Sequence, residues 1–345
     1  MRRPVPTPVF DTYWRFAAAR QDAFYARIER PGAGIWSADP ILQQHKFTNA
    51  YRAADRVSQY LIREVIYRGD QSAAEVFFRT ILFKIFNKIE TWELMVAEFG
   101  EISWRNCDVA RLEAVLARAM ARGESVFSAA YIMPTGAPGF QSPRKHVNFL
   151  RLLERMMLDE LPARLVQQPS LDAVYHLLVG YPLMGDFLAF QYAVDLLYGP
   201  LLAWDENDFV VAGPGALSGI SKCFSDTAGM APADIIRWTM ERQEEEFSRL
   251  GLAFRSLWGR PLHLIDCQNL YCEVNKYARV AHPDVAGRDG RTQIKQVFRP
   301  TRSLPISFWF PPKWGINDLL PTPAAGTKTL ATTAARRRAV QGDLF

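Results

Sequence analysis

Residues 181–218 decide the fold and read YPLMGDFLAFQYAVDLLYGPLLAWDENDFVVAGPGALS. The stretch opens with a hairpin that contains proline and glycine, and an apolar helix carrying Gln191 and Asp195 follows. An acidic turn over residues 205–208 comes next, and the stretch closes on a glycine-rich segment at residues 213–215. This order predicts two helices joined by a tight hairpin, followed by a loop that presents carboxylates.

The rest of the chain is also predicted to be helical. Apolar residues recur at helical spacing over residues 12–30, 72–88, 109–122, 147–159, 171–179, 233–250 and 262–280. We find no strand-like alternation of useful length and no internal repeat, so the predicted fold class is all-α. We expect residues 1–320 to form a single helical domain, and residues 321–345 to be a disordered basic tail.

The composition is that of a soluble globular protein able to bury a sizeable core, at 49% hydrophobic and 22% charged residues over 345 positions. The net charge of +5 lies largely in the tail, so it is too small elsewhere to argue for nucleic-acid binding. The four cysteines form no C-x-x-C pair, which indicates no metal or disulfide framework. Without a signal peptide or a long apolar run, a cytoplasmic protein without membrane contact is expected.

Three pairs of polar residues on predicted helices are open to two interpretations: Arg52 with Asp55, Gln191 with Asp195, and Glu273 with Lys276. The first pair fits either a surface ion-pair ladder or a face that contacts nucleic acid. The second pair lies among apolar residues and fits either structural hydrogen bonding or the reading of a base. The third pair fits either an intrahelical ion pair or the lining of the same pocket.

Two basic segments are candidates for contacts with a phosphate backbone. Arg144 and Lys145 follow a loop rich in proline and glycine at residues 130–143, where a solvated loop edge is the alternative. Residues 287–302 contain five cations against one aspartate and form the most basic patch outside the tail. The cations of that patch assigned to DNA binding are Arg288, Arg291, Lys295 and Arg299.

Three blocks of sequence resemble one known family. They are IWSADPILQQHKFTNAYRAADRV at residues 35–57, YPLMGDFLAFQYAVDLL with DFVVAGPGALSGI within residues 181–220, and CQNLYCEVNKYAR at residues 267–279. The chain resembles the α-glutamyl/putrescinyl-thymine pyrophosphorylase-like family, whose members include helical domains found with 5-hydroxymethyl-deoxyuridine DNA kinases. That family is linked to hypermodification of phage DNA bases and is regarded as a divergent branch of the helix-hairpin-helix DNA glycosylase superfamily.

The resemblance implies a glycosylase-like helical fold with additional helices and a site on DNA. The hairpin residues Tyr181, Met184 and Gly185 would contact a phosphate. Asp208, with Asp205 as the alternative, would stabilise an oxocarbenium-like sugar or orient a water. The residues implied to line the base pocket are Gln191, Asp195, Asn49, Arg52, Asp55, Glu273 and Lys276. No metal and no organic cofactor is implied.

The hairpin departs from the glycosylase pattern at two places. Asp186 and Phe187 stand where bifunctional glycosylases place a lysine, so a Schiff-base mechanism is not expected. Leu183 replaces the first glycine of the usual L-P-G-V-G string, which bears on the tightness of the turn.

The leading functional hypothesis is a monofunctional DNA glycosylase. It would flip out and excise a bulky hypermodified pyrimidine, leave an abasic site, and serve in defence against phage. One alternative is a transferase that displaces pyrophosphate from an activated 5-hydroxymethyl pyrimidine in DNA. Another is a non-catalytic DNA-binding helical module. The sequence contains no G-x-x-x-x-G-K-[ST] loop, so a P-loop kinase is not expected.

The last five residues, QGDLF, resemble the peptide that binds the bacterial sliding clamp. Gln341, Leu344 and Phe345 would enter a pocket on the clamp, which makes the clamp a candidate partner beside DNA. An inert tail is the alternative.

Overall fold

The computed structural model describes residues 3–30, 32–129, 133–299 and 307–321, and within them the predicted all-α class is confirmed. The α-helices of these ranges are α1 (Pro8–Glu29), α2 (Pro40–Gln44), α3 (Arg56–Tyr60), α4 (Ala73–Phe86), α5 (Ile89–Phe99), α6 (Val109–Ala121), α7 (Lys145–Leu158), α8 (Leu161–Val166), α9 (Leu171–Val179), α10 (Asp186–Leu197), α11 (Pro214–Cys223), α12 (Pro232–Glu241), α13 (Gln243–Arg249) and α14 (Leu264–Ala281). None of the described helices is both long and apolar enough to traverse a lipid bilayer.

The chain divides into two compact units. The terminal unit holds the described residues of Met1–Asp55, Glu206–Phe308 and Pro312–Lys328, and the central unit holds those of Arg56–Asp205 with Trp309–Pro311. The expectation of a single catalytic domain over residues 1–320 stays a prediction. The basic tail lies outside the described residues.

In the terminal unit, α14 packs against α1, α11 and α12, and its contact with α11 is unusually close. An added methyl group at Gly219 would lie 2.8 Å from the carbonyl carbon of Tyr271 and closer still to its oxygen. At Gly215, one turn earlier on the same face, it would lie 3.0 Å from Sγ of Cys272. Gly215 of the glycine-rich segment and Gly219, just after the stretch of residues 181–218, therefore allow the two helices to approach closely.

The terminal unit also contains a small antiparallel pairing that the sequence did not predict. Strand β1 (Val5–Pro6) pairs with β2 (Phe224–Asp226). Segments of two and three residues are too short to show the alternation from which strands are predicted.

The central unit is built around α4. All but two of its 14 residues are buried, and the buried residues include the charged side chains of Glu75, Arg79 and Lys84. Helices α7, α8 and α10 pack against it. Its buried Glu75 accepts hydrogen bonds from the backbone N–H groups of Trp104 (2.8 Å) and Arg105 (3.1 Å).

The predicted helix that was to carry Arg52 and Asp55 is not formed as one continuous helix. A 3₁₀ turn at Arg52–Ala54, the short α3 and a π-helical turn at Leu61–Ile66 stand in its place. The Asn49 side chain donates to the carbonyl of Ala54 (2.8 Å), so it closes a loop instead of capping a helix.

Candidate functional site

A polar network in the terminal unit joins α1 to the loop that follows α2. Arg20 donates from Nε to the Thr48 carbonyl (2.8 Å) and from Nη2 to Oδ1 of Asn49 (2.6 Å). The backbone N–H of Asn49 in turn donates to Oδ1 of Asp55 (2.8 Å). Arg20 is thereby bonded directly to residues 48 and 49 of the loop, and through Asn49 it is linked to Asp55.

Helix α14 closes the network from the other side. Oε2 of Glu273 accepts from the backbone N–H of Thr48 (2.9 Å) and from Nζ of Lys276 (2.7 Å). Asn269 donates to the carbonyl of Asn49 (3.1 Å). The structure therefore brings together Asn49, Asp55, Glu273 and Lys276, four of the seven residues assigned to the base pocket, and Glu273 and Lys276 also form the ion pair offered as their alternative.

Burial sets the electrostatics of this network. It raises the pKa of Asp55 to about 6, although the Asn49 amide and Arg20 act in the opposite sense. Burial likewise raises the pKa of Asp266, the N3 residue of α14, to about 7. Arg52 donates its backbone N–H to Asp266 (3.0 Å) and is only 6% exposed, which is inconsistent with a surface ion-pair ladder.

A pocket of about 300 Å³ adjoins the network, because Arg20 and Phe47 line it. Its other arginine and aromatic residues are Arg27, Trp36, His45 and Phe298. The guanidinium carbon of Arg27 lies 5.5 Å from the centroid of a Trp36 ring. Trp36 meets Phe298 edge to face, with ring centroids 6.4 Å apart. The pocket thus combines cations with flat apolar surfaces.

Hydrogen bonds to two distant segments fix the walls of the pocket. Phe298 donates its backbone N–H to the Gln44 carbonyl (2.9 Å), so the basic segment that begins at residue 287 reaches the pocket at this residue. Asp39 caps α2 by accepting from the N–H of Ile41 (2.7 Å), and its other oxygen accepts from the Tyr277 hydroxyl (2.7 Å). These bonds position the loop that carries Trp36.

Sequence reasoning did not single out the arginine and aromatic residues that line this pocket: Arg20, Arg27, Trp36, His45, Phe47 and Phe298. Two signals were present. The arginines are seven residues apart, which places them on one face of a helix. Phe298 stands in a run of cations, a pattern typical of surfaces on which nucleic-acid bases stack.

Two other residues assigned to the base pocket lie in the core of the central unit. Gln191 and Asp195 are buried on α10. The Asp195 carboxylate lies 3.1 Å from Nζ of Lys84, which also donates to Asn87 (2.7 Å). This ion pair gives Asp195 a structural partner, and the base-reading role stays a prediction.

The hairpin between α9 and α10 has the predicted form. Met184 donates its backbone N–H to the Tyr181 carbonyl (3.2 Å), and Gly185 begins α10 as its N-cap. Leu183 has a φ of 67°, the left-handed conformation that glycine adopts most readily and that the usual pattern supplies with glycine at this position. The Met184 side chain is buried, so a phosphate contact there would fall to the backbone. That contact stays a prediction.

In the acidic turn, the buried carboxylate is Glu206, and the two predicted aspartates are exposed. Glu206 accepts hydrogen bonds from Nη2 of Arg260 (2.8 Å) and from Nε1 of Trp314 (2.7 Å). Its carboxylate therefore joins these two side chains inside the terminal unit. Asp205 belongs to the central unit and Asp208 to the terminal unit.

The basic segments differ in their surroundings. Arg144 pairs with Glu113 (2.8 Å), and Nζ of Lys145 lies 4.9 Å from the ring centroid of Phe127. The cations of residues 288–299 that were assigned to DNA binding are all exposed: Arg288, Arg291, Lys295 and Arg299. Gln341, Leu344 and Phe345 of the clamp-binding peptide lie outside the described residues, so that role stays a prediction.

Comparison with known proteins identifies the family of the chain. A family profile described as "5-hmdU DNA kinase, helical domain" matches residues 7–287. The chain belongs to this family. A curated relative named "5-hmdU DNA kinase", from Bacillus phage SP10, is 28% identical over 287 residues, which cover 78% of this chain and 45% of the relative. The chain therefore spans less than half the length of that relative. No solved structure matches it significantly.

These matches confirm the family resemblance and overturn the leading functional hypothesis. The family and the relative are named for a kinase, which transfers a group, whereas a glycosylase breaks the bond between base and sugar. The expectations of base excision, of hydrolysis and of a role in phage defence were therefore wrong. The error arose because the order of hairpin, helix and carboxylate is a property of fold, and one fold hosts different chemistries.

Proposed function

We propose that this chain binds DNA carrying 5-hydroxymethyl-deoxyuridine and supports group transfer at the 5-hydroxymethyl group, as a step in DNA hypermodification. The family match over residues 7–287 is the observation that carries this proposal. The name of the phage relative supplies the substrate, which we extend to this chain as part of the proposal.

The surface of the terminal unit supports a nucleic-acid substrate. Exposed cations at residues 288–299 can neutralise phosphates, which supplies the affinity common to all DNA sequences. The same segment leads to a pocket with aromatic walls and two arginines, and that pocket adjoins the network around Asn49 and Glu273. The exposed cations of residues 288–299 would contact phosphates, so they would not distinguish the modified pyrimidine from thymine.

Binding is tested with two duplexes that differ only in one pyrimidine, thymine or 5-hydroxymethyl-uracil, by fluorescence anisotropy over a series of salt concentrations. We expect the modified duplex to bind more tightly at every salt concentration, and both affinities to fall as salt rises. Equal affinity for the two duplexes would refute the proposed selectivity.

The class of reaction is tested by digesting the DNA after incubation and measuring nucleoside masses. A phosphorylated 5-hydroxymethyl nucleoside formed in the presence of ATP would show phosphoryl transfer. Release of pyrophosphate from an activated hydroxymethyl base, with gain of an amine or amino acid, would show the transferase alternative. Selective binding with unchanged masses would show a substrate-binding module whose catalytic partner lies elsewhere.

A further inference from the structure

The pocket beside α1 combines two kinds of surface, one cationic and one aromatic. Arg20 and Arg27 line it from one face of the helix, and Trp36, Phe47 and Phe298 supply aromatic rings. Aromatic rings bind the flat faces of bases, and arginines bind phosphate oxygens while also stacking on rings. A nucleotide is the ligand class that carries both features.

Polar atoms at this pocket also point to a ligand. Nδ1 of His45 is buried without a hydrogen-bond partner among the described residues. A buried polar atom of this kind lowers stability unless a ligand or a water molecule forms a hydrogen bond with it. The bonds from Arg20 to Thr48 and Asn49 use Nε and Nη2, and among the described residues its Nη1 makes no hydrogen bond, so it can donate to a ligand.

The size and rim of the pocket decide which form of nucleotide fits. A volume of about 300 Å³ lies at the lower end of ligand pockets, which suits one nucleotide and excludes a base pair. Ile35, on the lining, is 63% exposed, and Val297, next to Phe298, is 59% exposed. Exposed apolar side chains at the mouth can pack against the neighbouring bases of a strand.

We infer that this pocket holds one unpaired nucleotide of a DNA strand, with its base against Trp36 and Phe298 and its phosphate at Arg27 and Arg20. The inference rests on the proposed function, because DNA is the source of the nucleotide. A nucleotide reaches such a pocket only when it is single-stranded, bulged or turned out of the duplex.

Photo-crosslinking tests the location. 5-Iodo-deoxyuridine would be placed at an unpaired position of a bulged duplex, at the same position of a fully paired duplex, and supplied as the free monophosphate. We expect the bulged probe to crosslink to the peptides that contain Trp36 or Phe298, and the paired probe to crosslink there far less. Crosslinks from the bulged probe that map only to other peptides would overturn the inference. Saturation of the same peptides by the free monophosphate at equal concentration would assign the pocket to a free nucleotide instead.

Matched variants test the contribution of the pocket to affinity. Arg27→Gln and Phe298→Leu should each weaken binding of the bulged duplex about tenfold, the scale of one lost stacking or phosphate contact. Arg15→Gln removes the same charge from an exposed position of the same helix and should change affinity less than about twofold. Urea unfolding of all three variants checks that they remain folded.

The two proposals fail separately. If the protein prefers hydroxymethylated DNA and both pocket variants bind the bulged duplex as the wild type does, the pocket inference is wrong and the proposed function stands. If the protein shows no such preference but the bulged probe still crosslinks at Trp36 or Phe298, the pocket inference stands and the proposed selectivity is wrong.

Discussion

The close contact between α11 and α14 makes Gly219→Ala the most informative substitution for the architecture of the site. The new methyl group would lie 2.8 Å from the carbonyl carbon and 3.2 Å from Cα of Tyr271. Both atoms are backbone, so no side-chain rotation can relieve the collision. Favourable contacts between carbon atoms lie at roughly 3.5–4.0 Å, and the helices would therefore have to separate by roughly 1 Å.

The energetic terms of this substitution oppose each other, and the collision is the larger. Alanine is favoured over glycine inside a helix by about 1 kcal/mol. Overpacking costs about 1–3 kcal/mol and occasionally more. We expect a cost near the upper end of that range, because the backbone of Tyr271 cannot move aside as a side chain can. We expect a net loss of about 2 kcal/mol in the free energy of unfolding. Because α14 carries Glu273 and Lys276, affinity for modified DNA should fall as well.

Urea unfolding with matched glycine substitutions measures this effect. Gly215→Ala meets the movable Cys272 side chain at 3.0 Å and should lose less stability than Gly219→Ala. Gly32→Ala meets nothing within 4 Å and should stay within about 0.5 kcal/mol of the wild type. A Gly219→Ala protein that unfolds at the same urea concentration as the wild type would refute the reasoning about helix contact.

Three further predictions concern buried or half-buried polar groups. Lys84→Met leaves the Asp195 carboxylate buried without its cation and should lower the free energy of unfolding in urea by about 3–5 kcal/mol. The double variant Lys84→Met/Asp195→Leu should recover most of that loss. Equal losses in the single and double variants would contradict the importance of the ion pair. Because burial raises the pKa of Asp266 to about 7, the folded state holds this proton more tightly than the unfolded state does. The resulting stability is complete below about pH 4 and is lost towards pH 7, by up to about 4 kcal/mol, and Asp266→Asn should flatten the profile; an unchanged profile in that variant would count against it. Asn49→Ala removes the side-chain acceptor of Arg20 and should lower the free energy of unfolding by about 1–3 kcal/mol. Affinity for modified DNA should fall as well. Full retention of both stability and affinity would exclude a role for the network in folding and in binding.

The fold class was predictable because helical periodicity is strong in this sequence. Helix α9 has the predicted bounds of Leu171–Val179, and α4 and α6 differ from prediction by one or two residues at an end. The expected long helix over residues 233–250 instead breaks at Arg242 into α12 and α13. Next to the break, Gln243 exchanges hydrogen bonds with both backbone groups of Leu262, a tertiary contact that no local pattern contains.

The site was predictable only in part. Family resemblance pointed to Asn49, Asp55 and Glu273, which the structure joins although α14 lies more than 200 residues along the chain. The aromatic pocket was missed because its walls come from α1, from residues 34–47 and from Phe298, which periodicity cannot relate to each other. The chemistry was misjudged because an acidic turn and a hairpin do not reveal which bond is broken.

The part of the basic segment between Gly287 and Phe298 is held to the protein near both of these residues. At Gly287, an added methyl group would lie 2.8 Å from Cε of Lys222, and the neighbouring Asp289 accepts from Asn275 (2.9 Å), whereas Phe298 is bonded to the other wall of the pocket. The backbone of this span has therefore lost much of its conformational entropy on folding, before DNA binds. A free arginine-rich tail loses that entropy on binding, so per cation this span should hold DNA more tightly and with a fixed spacing between the phosphates it meets.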